Sequence, residues 1–146
     1  MITGDLRMQA RLIAMLRAGA VMTGSAFLTL PLQVESMVAV HRWLGLGEMP
    51  RAPIVDYLAR SVSAFYGFHG VLLFVLSTDV ERYSPVIDVV AVSTTLLGLI
   101  LLAVDIHAGM PPYWTAGEGP VVAIIGLVLL SLNRAAARER AAVPRL

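Results

Sequence analysis

Four long apolar stretches occupy most of this 146-residue chain: Leu12 to Leu32, Ile54 to Leu76, Val86 to Ile106 and Pro120 to Leu132. A helix rises about 1.5 Å per residue and needs roughly 20 residues to cross about 30 Å of hydrocarbon, so the first three are each long enough to span a bilayer. Only helices or closed barrels satisfy their backbone groups in that solvent. The expected fold is therefore all-α: an integral membrane four-helix bundle, up-down-up-down, forming a single domain. Its expected spans are residues 12–32, 54–76, 86–106 and 120–138. The fourth apolar run is short at 13 residues, but its helix can continue through Asn133 to Arg138 with the arginines at the headgroups. Pro120 suits the first turn of that helix, and Glu118 stands beside its positive N-terminal dipole.

Composition narrows the function classes. The chain is 58% hydrophobic and only 14% charged, against roughly 25% charged residues in an ordinary soluble domain. A net charge of +1 gives no basic face for phosphates, which excludes nucleic acid as a partner. The absence of cysteine excludes disulfides, iron-sulfur clusters and thiol redox chemistry, and leaves histidine and carboxylates as metal ligands. All eleven basic residues are arginine, which points to a GC-rich bacterial genome and hence to a bacterial cytoplasmic (inner) membrane. Arg7, Arg11 and Arg17 precede an apolar run as in a signal peptide. Pro31, Leu32, Gln33 and Val34 follow it, however, where a cleaved signal needs an Ala-x-Ala-like site. The run is read as a retained first span.

Orientation follows from the arginines. With four spans, Arg7, Arg11, Arg17, Arg82, Arg134, Arg138, Arg140 and Arg145 lie on one side, and Arg42, Arg51 and Arg60 on the other. The positive-inside bias puts both termini in the cytoplasm and the two longer connections outside.

A few polar residues interrupt the spans. Ala20 and Gly24, and Gly19 and Thr23, form small-xxx-small pairs on the first span, which admit close approach of another helix. On the second, Asp56, Arg60, Ser63, Gly67 and Gly70 follow at steps of four and three, giving a face that is polar at its outer end and small below. Asp56 and Arg60 form a favourable i, i+4 pair, but an arginine at this depth must find an anion, a carbonyl or water. Tyr66 and His69, three apart, are an expected interior polar pair; a lone histidine with no second at similar depth is read as packing rather than as a haem ligand. Asp88, at a helix N-terminus, is stabilised by the dipole there. Asp105, at a C-terminus, is disfavoured and calls for a cation, for which Arg60 is at a plausible depth.

The outer connections, HRWLGLGEMPRAP from His41 and GMPPYWTAGEGP from Gly109, are rich in turn formers and aromatic anchors and are expected to form an ordered cap. Met37, Val40 and Leu44, with Trp43 beside them, predict a short amphipathic helix in the interface. Asp56, Arg60, Asp105, His107 and Glu118 all fall in the outer third and define a candidate polar pocket. His41, His107 and Glu118 lack the spacing of a metal site, and no nucleophile-base motif marks an enzyme, so no catalytic residue, metal or cofactor is expected.

The segments YLARSVSAFYG (Tyr57 to Gly67), DVERYSP (Asp79 to Pro85) and GMPPYWTAGEGP resemble small, uncharacterised four-span bacterial membrane proteins of the BphX-like or DoxX-like kind, over nearly the whole chain. The resemblance implies the four-span fold but no activity and no site residue. The expected function is that of a non-enzymatic accessory or interaction subunit. Its partners would be membrane lipids and either another membrane protein or a second copy docked through small-residue helix faces. The alternative is a binder of, or enzyme for, a membrane amphiphile, a lipid or quinone, held in the outer pocket.

Overall fold

The computed structural model describes residues 5–142, and no strand occurs among them. The helices are α1 (Asp5–Gly24), α2 (Val34–Trp43), α3 (Pro53–Thr78), α4 (Ser84–Ala108), α5 (Pro112–Gly117) and α6 (Gly119–Ala142), with a 3₁₀ turn at Ser25–Thr29 after α1. Among the described residues, four segments are long and apolar enough to cross a membrane: Arg7–Thr29, Pro53–Thr78, Ser84–Ala108 and Pro112–Ala142.

Each boundary has a local cause. The first span tightens into the 3₁₀ turn and stops short of Pro31, which has no N–H to continue the ladder. Pro53 opens α3 and Pro85 lies in the first turn of α4, where a missing N–H is harmless. Gly109, at φ 68°, ends α4 in a left-handed cap that donates its N–H to the carbonyls of Asp105 and Ile106. The amphipathic pattern around Met37 and Val40 forms α2, and the fourth span is lengthened by α5 ahead of Gly119.

The chain clusters into two compact units, one comprising α1 up to Leu16 together with the chain from Val75 onward, the other Arg17–Phe74. In the first, α4 and α6 run antiparallel at backbone contact distance. A Cβ built on Gly98 would meet the backbone N of Ala123 and lie 2.6 Å from the Gly119 carbonyl. One on Gly119 would lie 2.6 Å from Leu102 N, and one on Gly126 would lie 2.7 Å from the Ala91 carbonyl. Ala91, Thr95, Gly98 and Leu102 thus face Gly119, Ala123 and Gly126 along a single seam. At the far end of the seam Asn133, 1% exposed, donates through Nδ2 to the Ser84 carbonyl (2.8 Å) and to Asp88 Oδ1 (2.9 Å), and its Oδ1 accepts from Ser84 Oγ (3.2 Å).

In the second unit, the end of α1 and the 3₁₀ turn pack antiparallel to α3. A Cβ on Gly70 would lie 2.5 Å from Gly24 N and 2.7 Å from the Ala20 carbonyl, and one on Gly67 would enter the ring of Phe27. Phe27 in turn meets Phe68 edge-on, with centroids 5.3 Å apart. Outside these seams the helices present large apolar side chains outward, among them Phe65 (76% exposed) and Val21 (74%). Such a surface is unfavourable in water and ordinary in lipid.

Because the obstacles at Gly98 are main-chain atoms that cannot rotate away, Gly98→Val is expected to destabilise the detergent-solubilised protein by about 1 to 3 kcal/mol. Gly117→Ala, where a Cβ meets nothing within 4 Å, should stay within about 0.5 kcal/mol of the parent. Thermal unfolding of the two variants checks this, and equal stabilities would show that α4 and α6 are not in backbone contact.

Candidate functional site

The polar residues singled out in the sequence fall into both units. In the second unit, α3 places Asp56 and Arg60 one turn apart in its first two turns. Arg60 Nε donates to Asp56 Oδ1 at 2.9 Å, Nη1 to the carbonyl of Leu30, and Nη2 to the carbonyl of Leu32 at 3.0 Å. The two carbonyls belong to the chain's exit from the 3₁₀ turn around Pro31, where a helix end leaves acceptors without intrahelical partners. Arg60 therefore fastens the end of the first span to α3, and three of its five N–H donors are engaged in doing so. The expected pairing with Asp56 is present. The carbonyl partners had a sequence signal, since a helix broken at Pro31 must leave orphan acceptors, but nothing in the sequence said which cation reaches them.

Asp105, His107 and Glu118 belong to the other unit. Asp105 is 4% exposed, and its Oδ2 is buried with no hydrogen-bond partner among the described residues. His107 is exposed near the end of α4. Glu118, the C-cap of α5, accepts from Trp114 Nε1 at 2.6 Å and so ties the aromatic anchor to the start of α6. No three His, Cys, Asp or Glu side chains converge as a metal site among the described residues. Of the expected joint pocket, Asp56 and Arg60 thus belong to the second unit and Asp105, His107 and Glu118 to the first.

Tyr66 and His69 are not hydrogen-bonded to each other among the described residues; Tyr66 is 40% exposed and His69 half-buried. Asn133 is the polar residue that sequence reasoning passed over. A lone amide where the apolar run of α6 gives way to its arginine-bearing end was its signal, because such a group needs partners wherever it is buried. Asp88, read as a structural N-terminal carboxylate, is bonded to that amide and lies 3.8 Å from Arg134 Nε.

The connection after α2 folds back on itself. His41 Nδ1 lies 3.0 Å from the Gly47 carbonyl, and Arg42 Nη2 bonds to Glu48, while Gly45 and Gly47 supply the positive φ the turn needs. The Arg42 guanidinium holds the Glu48 carboxyl below its usual range, first through the hydrogen bond and then through its charge.

An apolar groove of about 260 Å³ is formed within the second unit. It is lined by the small residues Ala20, Gly24, Gly67 and Gly70 and by Val21, Phe27, Val71 and Phe74. The groove exists because glycines bring the two backbones together and leave a furrow between the neighbouring large side chains.

In comparisons with known proteins, no family model matches the chain and no curated protein or solved structure is significantly similar to it.

Two outcomes follow from the bonding. Arg60→Ala leaves the Leu30 and Leu32 carbonyls without their donor and is expected to destabilise by about 1 to 3 kcal/mol. Asp56→Ala removes only a partly exposed i, i+4 pair and should lose at most about 1 kcal/mol. Thermal unfolding in detergent compares them, and an Arg60→Ala protein as stable as the parent would sink the clamp. In the α2 connection, ionised Glu48 is favoured by the folded loop. The contact is therefore complete above the ordinary glutamate range and is lost as pH falls through the lowered value. An NMR titration of the Glu48 carboxyl should show a midpoint below that of a free glutamate, rising toward it in Arg42→Gln.

Proposed function

We propose that this chain is a non-enzymatic accessory or interaction subunit of a bacterial cytoplasmic membrane, with four spans running up-down-up-down, an ordered outer cap and both termini in the cytoplasm. The observation that carries the reading is the groove along α1 and α3. The small residues of α4 and α6 are already engaged with each other, whereas Ala20, Gly24, Gly67 and Gly70 both hold their own helix pair together and leave a furrow flanked by exposed Val21, Val71 and Phe74. In hydrocarbon, a furrow of this kind is where another helix gains the most from close packing. The arginine distribution supports the orientation.

A second reading has support from the same place. Arg60 lies seven residues, about 10 Å, along α3 from Gly67, and it retains N–H donors beyond those bonded to Asp56, Leu30 and Leu32. A lipid or quinone with its tail in the groove and its polar end toward Arg60 would use both features.

Native mass spectrometry of gently solubilised protein, with an absorbance scan, separates the two. The accessory role expects a stoichiometric assembly that dissociates when Val71→Trp fills the groove. A lone chain carrying a lipid-sized or coloured adduct would replace that role with the amphiphile reading. For orientation, single cysteines at Ala52 and Ala116 should react with a membrane-impermeant thiol reagent in whole cells, and those at Ser84 and Ala141 should not. Labelling at Ala141 but not Ala116 would invert the topology.

A further inference from the structure

Asp105 has a buried acidic oxygen to which none of the contacts above gives a role. The seam of α4 runs through Ala91, Thr95, Gly98 and Leu102, and the next helical step of three on the same face is Asp105. Its residue is 4% exposed, and its Oδ2 is buried with no hydrogen-bond partner among the described residues.

An ionised carboxylate in such a place needs a compensating positive charge. The end of α4 works against it, because Asp105 lies in the last turn, at the negative end of the helix dipole. Toward its C-terminal end α4 is packed by α5 and α6. From Pro112 to Asn133 these contain no Lys, Arg or His, and their titratable groups are Tyr113 and Glu118, the latter an acid bonded to Trp114. His107, on α4 itself, is exposed and sits about 200° around the helix from Asp105. The facing stretches of α5 and α6 thus offer a second acid and no base.

We propose that Asp105 is a binding site for a small monovalent cation, a proton or an alkali ion, at the α5 end of the α4 and α6 pair. A divalent ion needs several anionic or carbonyl oxygens at once, and no three acidic or imidazole side chains converge among the described residues. A single carboxylate beside a helix C-terminus suits a single positive charge, since the dipole that disfavours the anion favours the bound cation. The site is independent of the groove in the other unit, so it stands or falls apart from the accessory role.

The test uses the full-length protein in detergent, comparing thermal midpoints of the parent, Asp105→Asn and Glu118→Gln. Sodium chloride is exchanged for choline chloride at constant ionic strength, and pH is varied separately at fixed sodium. A ligand that binds only the folded state raises the midpoint with each tenfold rise in its concentration above the dissociation constant. An alkali site expects that rise with sodium, and a proton site expects it with falling pH. In either case Asp105→Asn, neutral and of equal size, should lose the response while Glu118→Gln keeps it. A parent that responds to neither ion, or an Asp105→Asn protein that responds as the parent does, overturns the proposal. Should Asp105→Asn fail to fold, infrared difference spectra of the parent between the paired conditions read the carboxyl group directly. A change in a buried carboxyl band supports the site, and a difference spectrum without one overturns it.

Discussion

Helices in hydrocarbon gain nothing from hiding apolar surface from one another, because the lipid they leave is as apolar as the side chains they meet. What holds such a pair together is contact close enough for backbone dispersion and for the few polar groups to reach across. The rest of this structure depends on that constraint. Gly98 and Gly119 bring α4 and α6 together until a single added Cβ would strike main-chain atoms, and Gly70 does the same for α3 against Ala20 and Gly24. Leucine, valine and phenylalanine are then free to face outward, which explains why so many of the largest apolar side chains are exposed.

Each unit adds a polar fastening near one end of its helix pair. Asn133 joins the start of α4 to the later turns of α6, and Arg60 joins α3 to the carbonyls around Pro31. Arg60 meets carbonyls that a helix end leaves without intrahelical partners, whereas Asn133 adds its amide to the Ser84 carbonyl and to the side chains of Ser84 and Asp88 in the first turns of α4. The polar residues that stand out in an apolar sequence are thus partly structural. Arg60, which a sequence reader is drawn to treat as an anion receptor, directs donors to its own chain. Asp105 is the exception, since one oxygen of its carboxylate, Oδ2, is buried without a hydrogen-bond partner among the described residues.

This division shifts the weight of the functional argument. Small-residue stripes on several helices are a reason to expect a docking partner only if they are left free. The stripe shared by α4 and α6 is closed within the chain, and the one on α1 and α3 is closed at its centre but leaves an apolar furrow beside it. The proposed role in binding another membrane component rests on that furrow.

The sequence by itself determined the all-helical class and the four spanning segments, because length and hydropathy are local quantities set against a fixed bilayer thickness. It also determined the amphipathic α2 and the i, i+4 pairing of Asp56 with Arg60, since each depends on neighbours within a turn or two. The tertiary structure alone decided which small residues meet: the spacing of Gly98, Gly119 and Gly126 marks faces but not their register. It alone likewise decided that Asp105 Oδ2 is buried without a hydrogen-bond partner among the described residues, that Arg60 reaches Leu30 and Leu32, and that Asn133 closes on Ser84 and Asp88. Those outcomes join residues about 30 to 50 positions apart, and a long side chain selects its partners only after the helices that carry it have packed.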